Sequence, residues 1–203
     1  MITIINYGMG NLGSVQNMFN RIGVKSRISG DLNEIKDSEK LLLPGVGAFD
    51  AAMQRINDGG FNELLTHMVE IDKVPVLGIC LGMQLLTSSS EEGLLPGLGW
   101  INAKTVKFKF NEDSSLKVPH MGWNLINAKN DSRLTKNLPD EPRFYFVHSY
   151  FVKCHHPENI VCTTHYGHDF DSVIQKDNIW GAQFHPEKSH KFGMKLLKNF
   201  SEI

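Results

Sequence analysis

Two short runs without a polar side chain, Leu41-Leu42-Leu43 and Val76-Leu77-Gly78-Ile79, constrain this chain more than any other feature. A strand with one face in water alternates apolar and polar residues. A strand covered on both faces reads as an unbroken apolar run. Helical patterns lie between and beside these runs. Residues 2–6 read as a first strand. Leu12, Val15, Met18, Phe19 and Ile22 then recur at helical spacing, and Gly23 suits the helix end. A second strand is predicted over 24–28. Asp31 and Glu34 have the spacing of a capping box opening a short helix. The third strand covers 40–43, two helices cover 49–56 and 61–71, and the fourth strand covers 74–79. Strands alternating with helices imply a parallel sheet sheathed on both faces.

The second half is richer in strand. Strands are predicted over 100–110, 143–153, 160–164, 172–175 and 179–184, with a break at 111–115. A last helix begins at Ser189 and carries Phe192, Leu196, Leu197 and Phe200 on one side. The expected fold is α/β, doubly wound and flavodoxin-like. It has one mixed sheet with central parallel strands and an antiparallel extension. With 203 residues and no linker, repeat or low-complexity tract, a single domain over 1–203 is expected. A formal net charge of −1 lacks the basic footprint of a nucleic-acid binder. No apolar stretch approaches the length of a membrane span. The opening Met1-Ile-Thr-Ile-Ile5 is too short for a signal peptide and has no cationic lead. Three cysteines, Cys80, Cys154 and Cys162, make a poor disulfide framework, so a reduced, cytoplasmic compartment is expected.

The fourth apolar run ends in Gly78-Ile-Cys80-Leu-Gly82, and an amphipathic stretch follows at once. Strand, sharp turn and helix form the grammar of a nucleophile elbow. Glycines two residues to either side leave room for a tight turn. A helix N-terminus beside Cys80 favours thiolate. Alone, the pattern fits a buried structural cysteine equally well, and a base decides between the two. His185 closes another apolar strand, and Glu187 lies two residues on. In extended chain the two side chains project to the same side. The carboxylate then fixes the imidazole tautomer and leaves the other ring nitrogen for a thiol. The third apolar run breaks into Pro44-Gly-Val-Gly47, whose free N–H groups suit an oxyanion together with the Leu81 N–H.

Five segments occur in order: Pro44-Gly-Val-Gly47, Gly78-Ile-Cys-Leu-Gly-Met-Gln84, Pro119-His-Met-Gly-Trp-Asn124, Tyr145-Phe-Val-His-Ser149 and Gln183-Phe-His-Pro-Glu-Lys188. Together they resemble the class I (triad) glutamine amidotransferases, and among them the glutaminase subunits of imidazole glycerol phosphate synthases. The match runs from the first strand to the last helix. The resemblance implies a Cys80-His185-Glu187 triad that releases ammonia from L-glutamine without metal or organic cofactor. It implies substrate or oxyanion contacts from Gly45, Val46, Gly47, Leu81, Gln84, Ser149 and Tyr150. It implies a (β/α)₈ cyclase subunit as partner in a heterodimer, meeting Asn11, Trp123, Tyr145 and Lys188. There the ammonia would react with PRFAR to give imidazole glycerol phosphate and AICAR in histidine biosynthesis. Ser149 replaces a threonine and keeps its hydroxyl. Asn6 stands where many relatives carry Asp.

Other readings compete. A paralogous ammonia donor serving the amidination of a bacterial surface sugar would share the triad. A stand-alone cysteine hydrolase would need no partner, and a silent binding module would need no triad. Trp123 and Tyr145 are also ordinary core aromatics by type. Cys154, His155, His156, Cys162, His165 and His168 are metal-ligand types, but they lack the paired Cys-x-x-Cys clips of structural zinc sites. The histidine-rich tract is expected to face solvent.

Overall fold

The computed structural model describes residues 1–111 and 115–203. The first half contains β1 (Ile2–Ile5), α1 (Leu12–Arg21), β2 (Ser26–Ser29), α2 (Leu32–Lys36), β3 (Lys40–Gly45), α3 (Phe49–Asp58), α4 (Phe61–Thr66), β4 (Val76–Cys80) and α5 (Leu81–Leu85). A π-helical turn, His67–Ile71, continues α4. The second half contains β5 (Ser89–Ser90), β6 (Ala103–Lys107), β7 (His120–Leu125), β8 (Asn127–Ala128), β9 (Arg143–His148), β10 (Tyr150–Cys154), β11 (Ile160–Tyr166), β12 (His168–Lys176), β13 (Ile179–Ala182) and α6 (His190–Glu202).

The main sheet runs β2-β1-β3-β4-β13-β12-β10-β6-β5, with β11 and β8 joined beyond β12. Pairing is parallel from β2 through β13 and antiparallel from β13 through β6. The expected central parallel strands and antiparallel extension are both present. The two apolar runs are β3 and β4, adjacent in the middle of the parallel part. Successive residues feed opposite layers. Leu42, Leu77 and Ile79 pack with Val15 and Phe19 of α1 and Leu196 and Phe200 of α6. Leu41, Leu43 and Val76 pack with Phe49 and Ile56 of α3 and Leu65 of α4. Each buried Leu, Ile or Phe contributes roughly 1.5–3 kcal/mol, which explains why these runs hold no polar side chain.

The structure corrects four local readings. The run over 143–153 is two strands, because β9 pairs with β7 in a separate two-stranded sheet while β10 joins the main one. Ser149 is the break, and its carbonyl accepts from the Phe108 N–H. β7 itself carried no strand signal, since Pro119, Gly122 and Asn124 all disfavour extension. Strand preferences span only ~1 kcal/mol, and continuous pairing from His120–His148 to Leu125–Arg143 outweighs them. The strand over 100–110 shrinks to β6, and Phe108 and Phe110 turn instead into an aromatic cluster with Tyr166 and Phe170. The capping box is half formed. Asp31 accepts from the Asn33 N–H at 2.8 Å, but Glu34 is drawn away to the Ser29 hydroxyl at 2.5 Å. The break at 111–115 lies partly outside the described residues.

Candidate active site

Cys80 ends β4 and immediately precedes α5, with φ +54° and ψ −112°. A side chain in that backbone region is strained, and the surroundings must hold it there. Two close approaches do so. A Cβ on Gly82 would stand 1.8 Å from the Leu43 carbonyl oxygen, and one on Gly78 would stand 2.6 Å from the Gly82 oxygen. Only glycines let α5 lie backbone against backbone on β3 and β4, so the spacing read from the sequence is a steric requirement.

His185 follows β13, the strand paired in parallel with β4 through Ala182 and Ile79. That pairing sets Cys80 and His185 side by side at the carboxyl ends of neighbouring strands, where open α/β sheets form their sites. His185 Nδ1 donates to Glu187 Oε1 at 2.8 Å, and both side chains are only 2% exposed. The carboxylate only accepts, so the proton sits on Nδ1 and Nε2 is free. Nε2 is buried without a completed hydrogen bond, as is the second oxygen of Glu187. Nε2 is left for Cys80 on the wall of the same pocket. Burial opposes a charge on His185. The Cys80 and Glu187 side chains more than offset it, and the ring is pushed up to about 10.

The expectation of an extended His-Pro-Glu segment is corrected. Pro186–Lys188 is a 3₁₀ turn, and the turn rather than a strand brings the carboxylate back to the ring. Ser189 anchors that turn. Its hydroxyl donates to the His185 carbonyl at 2.6 Å and accepts from the Tyr145 N–H at 3.0 Å. The His185 N–H in turn donates to the Tyr145 carbonyl at 2.9 Å.

Cys80 and His185 open on a pocket of about 340 Å³, which also gathers Val46, Gly47, Leu81, Gln84, Ser149 and Tyr150. Gly45 lies beneath this wall, paired with Cys80. A Cβ there would meet the Gly82 nitrogen, Leu81 and the Tyr7 hydroxyl, each at 2.9 Å. Gly47 has φ +106°, which a side chain rarely adopts. Gln84 donates through Nε2 to the Tyr150 carbonyl at 3.0 Å and to Gln183 Oε1 at 3.1 Å. Gln183 Nε2 in turn lies 3.9 Å from Cys80 Sγ.

Sequence reasoning missed five residues here. Glu92 and His148 line the pocket with Pro119. Gln183 lies under the thiol. Tyr7 is buried and donates to the Pro44 carbonyl at 2.7 Å, and burial pushes its phenol well above the ordinary range. The place of Gln183 inside the Gln-Phe-His-Pro-Glu segment was a usable signal. Pro119 and His148 likewise lie inside such segments, whereas nothing local marks Glu92.

Three of the four expected partner-facing residues share one face. Trp123 is 48% exposed rather than in the core. It stands opposite the half-buried Tyr145 across β7 and β9, with ring centroids 6.3 Å apart. Lys188 Nζ lies 5.8 Å from the centre of the Tyr145 ring. The His190 ring stacks on Trp123 at 5.4 Å and 3°. Asn11 is exposed at the start of α1, which packs beside the Pro186–Lys188 turn. Asn6 accepts from the Gly8 N–H at 3.1 Å.

The histidine-rich tract does face solvent. His155 is held by Asn102 and His165 by Asp169, at 2.6 and 2.9 Å, and His156 and His168 are exposed as well. Burial pushes Cys162 up to about 12 and Cys154 higher still. Among the described residues, no three His, Cys, Asp or Glu side chains are grouped to hold a metal ion. Among them too, no helix is long and apolar enough to cross a membrane.

A thiol on a strained elbow, an imidazole held by a buried carboxylate, and adjoining N–H groups are the parts that cysteine acyl-transfer chemistry requires. The family model for class-I glutamine amidotransferases matches residues 3–203. Imidazole glycerol phosphate synthase subunit HisH 2 of Methanococcus maripaludis is 54% identical over 200 residues, covering 98% of each chain. HisH 2 of Pseudomonas aeruginosa is 48% identical over 203 residues and HisH of Bdellovibrio bacteriovorus 46% over 204, each covering both chains completely. Among solved structures, PurLQS from Thermotoga maritima superposes with a TM-score of 0.73 at 16% identity, over 98% of this chain and 96% of that one. A glutamine amidotransferase from the same organism gives a TM-score of 0.63 at 16% identity, over 99% and 82%. These two likenesses show the fold. The chain belongs to the class-I glutamine amidotransferases, and within them to the family of imidazole glycerol phosphate synthase HisH subunits.

Proposed function

We propose that the chain, as one domain over 1–203, hydrolyses L-glutamine and hands the ammonia to a cyclase subunit. The observation that carries this reading is the buried Nε2 of His185, freed by Glu187 and left for Cys80 on the same pocket wall. The Cys80 thiol proton rests on His185 Nε2, and Cys80 Sγ attacks the side-chain amide carbon as a thiolate. The tetrahedral oxyanion is met by the Leu81 N–H and the Gly45-Val46-Gly47 loop. His185 then returns its proton to the departing ammonia, and water hydrolyses the glutamyl thioester to glutamate. Glu92 is the carboxylate on the pocket wall. It suits the α-ammonium group of an amino-acid substrate, and the Ser149–Tyr150 wall suits the α-carboxylate. Gln84 Nε2 is committed to Tyr150 and Gln183, so its oxygen is the end available to a ligand.

The partner in this reading is a (β/α)₈ cyclase that converts PRFAR to imidazole glycerol phosphate and AICAR. It would dock on the face carrying Trp123, Tyr145 and Lys188, in the cytoplasm.

Cys80→Ala should abolish glutamine hydrolysis while ammonia-driven synthesis by the complex continues, because the thiol serves only to release ammonia. Glutamate release is measured alone, with the cyclase subunit, and with PRFAR added. Substantial glutaminase activity in the variant would remove Cys80 as nucleophile. Full activity of the wild-type chain alone would favour a stand-alone hydrolase.

A further inference from the structure

At the pocket wall and just behind it, two buried histidines face each other across β7 and β9. His120 and His148 are directly paired in register and only 3% and 6% exposed. His148 Nδ1 lies 2.8 Å from the Tyr150 carbonyl oxygen. A carbonyl only accepts, so His148 carries its proton on Nδ1, and in the neutral ring Nε2 is an acceptor. That Nε2 lies 2.9 Å from His120 Nδ1, which is therefore the donor. His120 Nε2 is then an acceptor too, and Asn124 Nδ2 donates to it at 3.2 Å while also donating to the His165 carbonyl at 2.9 Å. Every proton in this hydrogen-bond chain is fixed, and all point the same way, from Asn124 through both rings to Tyr150.

The end point matters because the Tyr150 carbonyl also accepts from Gln84 Nε2, and Tyr150 and Gln84 both line the glutamine pocket. We propose that His120 and His148 are positioning residues for glutamine binding, which fix the Ser149–Tyr150 turn and the Gln84 amide through this one-way chain of hydrogen bonds. The proposal rests on the glutaminase reading of the pocket. Two apolar side chains would fill the same space, but they would leave the Tyr150 carbonyl with one fewer donor. The surroundings keep the rings neutral. Phe108, Phe146, Phe170 and Tyr166 pack around them, and the charge-capable neighbour of His148 beyond His120 is His185. Burial pushes His120 down to about 4 and His148 to about 3. A proton added to either ring would point N–H at N–H, or displace the Asn124 amide, and reverse the chain of bonds.

The alternation along β7 gives these bonds a second end. His120 and Asn124 face inward, while Met121 and Trp123 between them are 61% and 48% exposed. The same strand thus carries the first donors of the relay on one side and the proposed docking face on the other.

The test compares His120→Leu with His120→Asn in the full chain, with and without the cyclase subunit. Leucine removes the donor to His148 Nε2, whereas an asparagine amide replaces Nδ1 as donor. The expected result is a KM for glutamine raised about tenfold or more in the leucine variant, as for one buried acceptor left without its donor. Its kcat should fall less than KM rises, and asparagine should restore most of the loss. Ring ¹⁵N spectra of the wild type should show both histidines neutral with Nδ1–H from pH 5 to 8, and His148 should leave that tautomer in the leucine variant. An Nε2–H or charged ring in the wild type would overturn the proposal, as would equal KM values in wild type and the leucine variant. If the leucine variant does not fold, the wild-type spectra and the asparagine variant still decide. A wild type that releases no ammonia would refute the glutaminase reading, and the ring tautomers would still decide whether the hydrogen bonds run one way.

Discussion

A buried histidine–carboxylate pair and a buried histidine–histidine pair sit within one hydrogen-bonded neighbourhood and behave in opposite ways. His185 is joined to a carboxylate and a thiol, so its ring is held ready to carry a proton. His120 and His148 are joined to each other, to an amide and to a carbonyl, so neither carries a net charge. Burial acts in the same direction on all three rings. The partner decides the outcome: an anion beside the ring outweighs desolvation, and a neutral acceptor does not. One pair therefore has the properties of a base, and the other those of a rigid strut.

The sharpest way to break this comparison is to remove the charge-bearing pair. His185→Asn should lower turnover by several orders of magnitude, roughly 10³–10⁶-fold. Glu187→Gln should cost less, because an amide still orients the ring while failing to stabilise imidazolium. Since the two act as a unit, the double variant should be little slower than His185→Asn alone. Multiplying losses in single-turnover assays would show that they act independently, and the contrast between base and strut would lose its basis.

A smaller effect is expected at the turn that holds the base. Ser189→Ala leaves the Tyr145 N–H without a partner and the His185 carbonyl with the Lys188 N–H alone. The consequence is on the order of 1–3 kcal/mol, and where it displaces the imidazole, turnover should fall roughly tenfold to a hundredfold. This variant should change kcat, whereas the His120 variants should change KM. If steady-state kinetics gave the same pattern for both, the two regions would not be separate.

Much of the charge-bearing site was legible in the sequence, and little of the strut was. Gly78 and Gly82 are demanded by contacts under 3 Å, so the elbow leaves a pattern in consecutive residues. His185 and Glu187 are near neighbours along one turn. The apolar runs that became β3 and β4 announced the strand pair on which Cys80 sits. His120 and His148, by contrast, belong to two strands whose pairing outweighs local preference, and one of those strands gave no signal. His120, Asn124 and His148 were legible only as parts of motifs. Glu92 reaches the pocket from a segment with no chemical pattern of its own, because tertiary packing alone brings it there.

The smallest effect, and the one that separates the pairs most directly, is in stability against pH. His120 and His148 titrate near 6.5 when unfolded and at about 4 and about 3 when folded. The unfolded chain therefore binds more protons below neutrality. Their contribution is complete above about 6.5 and is lost as pH falls toward 4 and below. His185 has the opposite sign. Its folded value is raised to about 10, so its contribution is complete below about 6.5 and is lost as pH rises through 10. Chemical denaturation from pH 4 to 10 should thus show a loss at each end with separate origins. His120→Asn should make the acid limb shallower by one proton, about 1.4 kcal/mol per pH unit at most, and leave the alkaline limb alone. His185→Asn should make the alkaline limb shallower, and the part that remains comes from the raised thiols of Cys154 and Cys162. Burial raises the carboxyls of Asp171 and Glu92 and opposes the acid loss. Those groups are common to wild type and variant, and the difference between the two curves cancels them. An acid limb unchanged by His120→Asn would mean that folding does not lower the His120 value, and the contrast in charge between His185 and the His120–His148 pair would lose its basis.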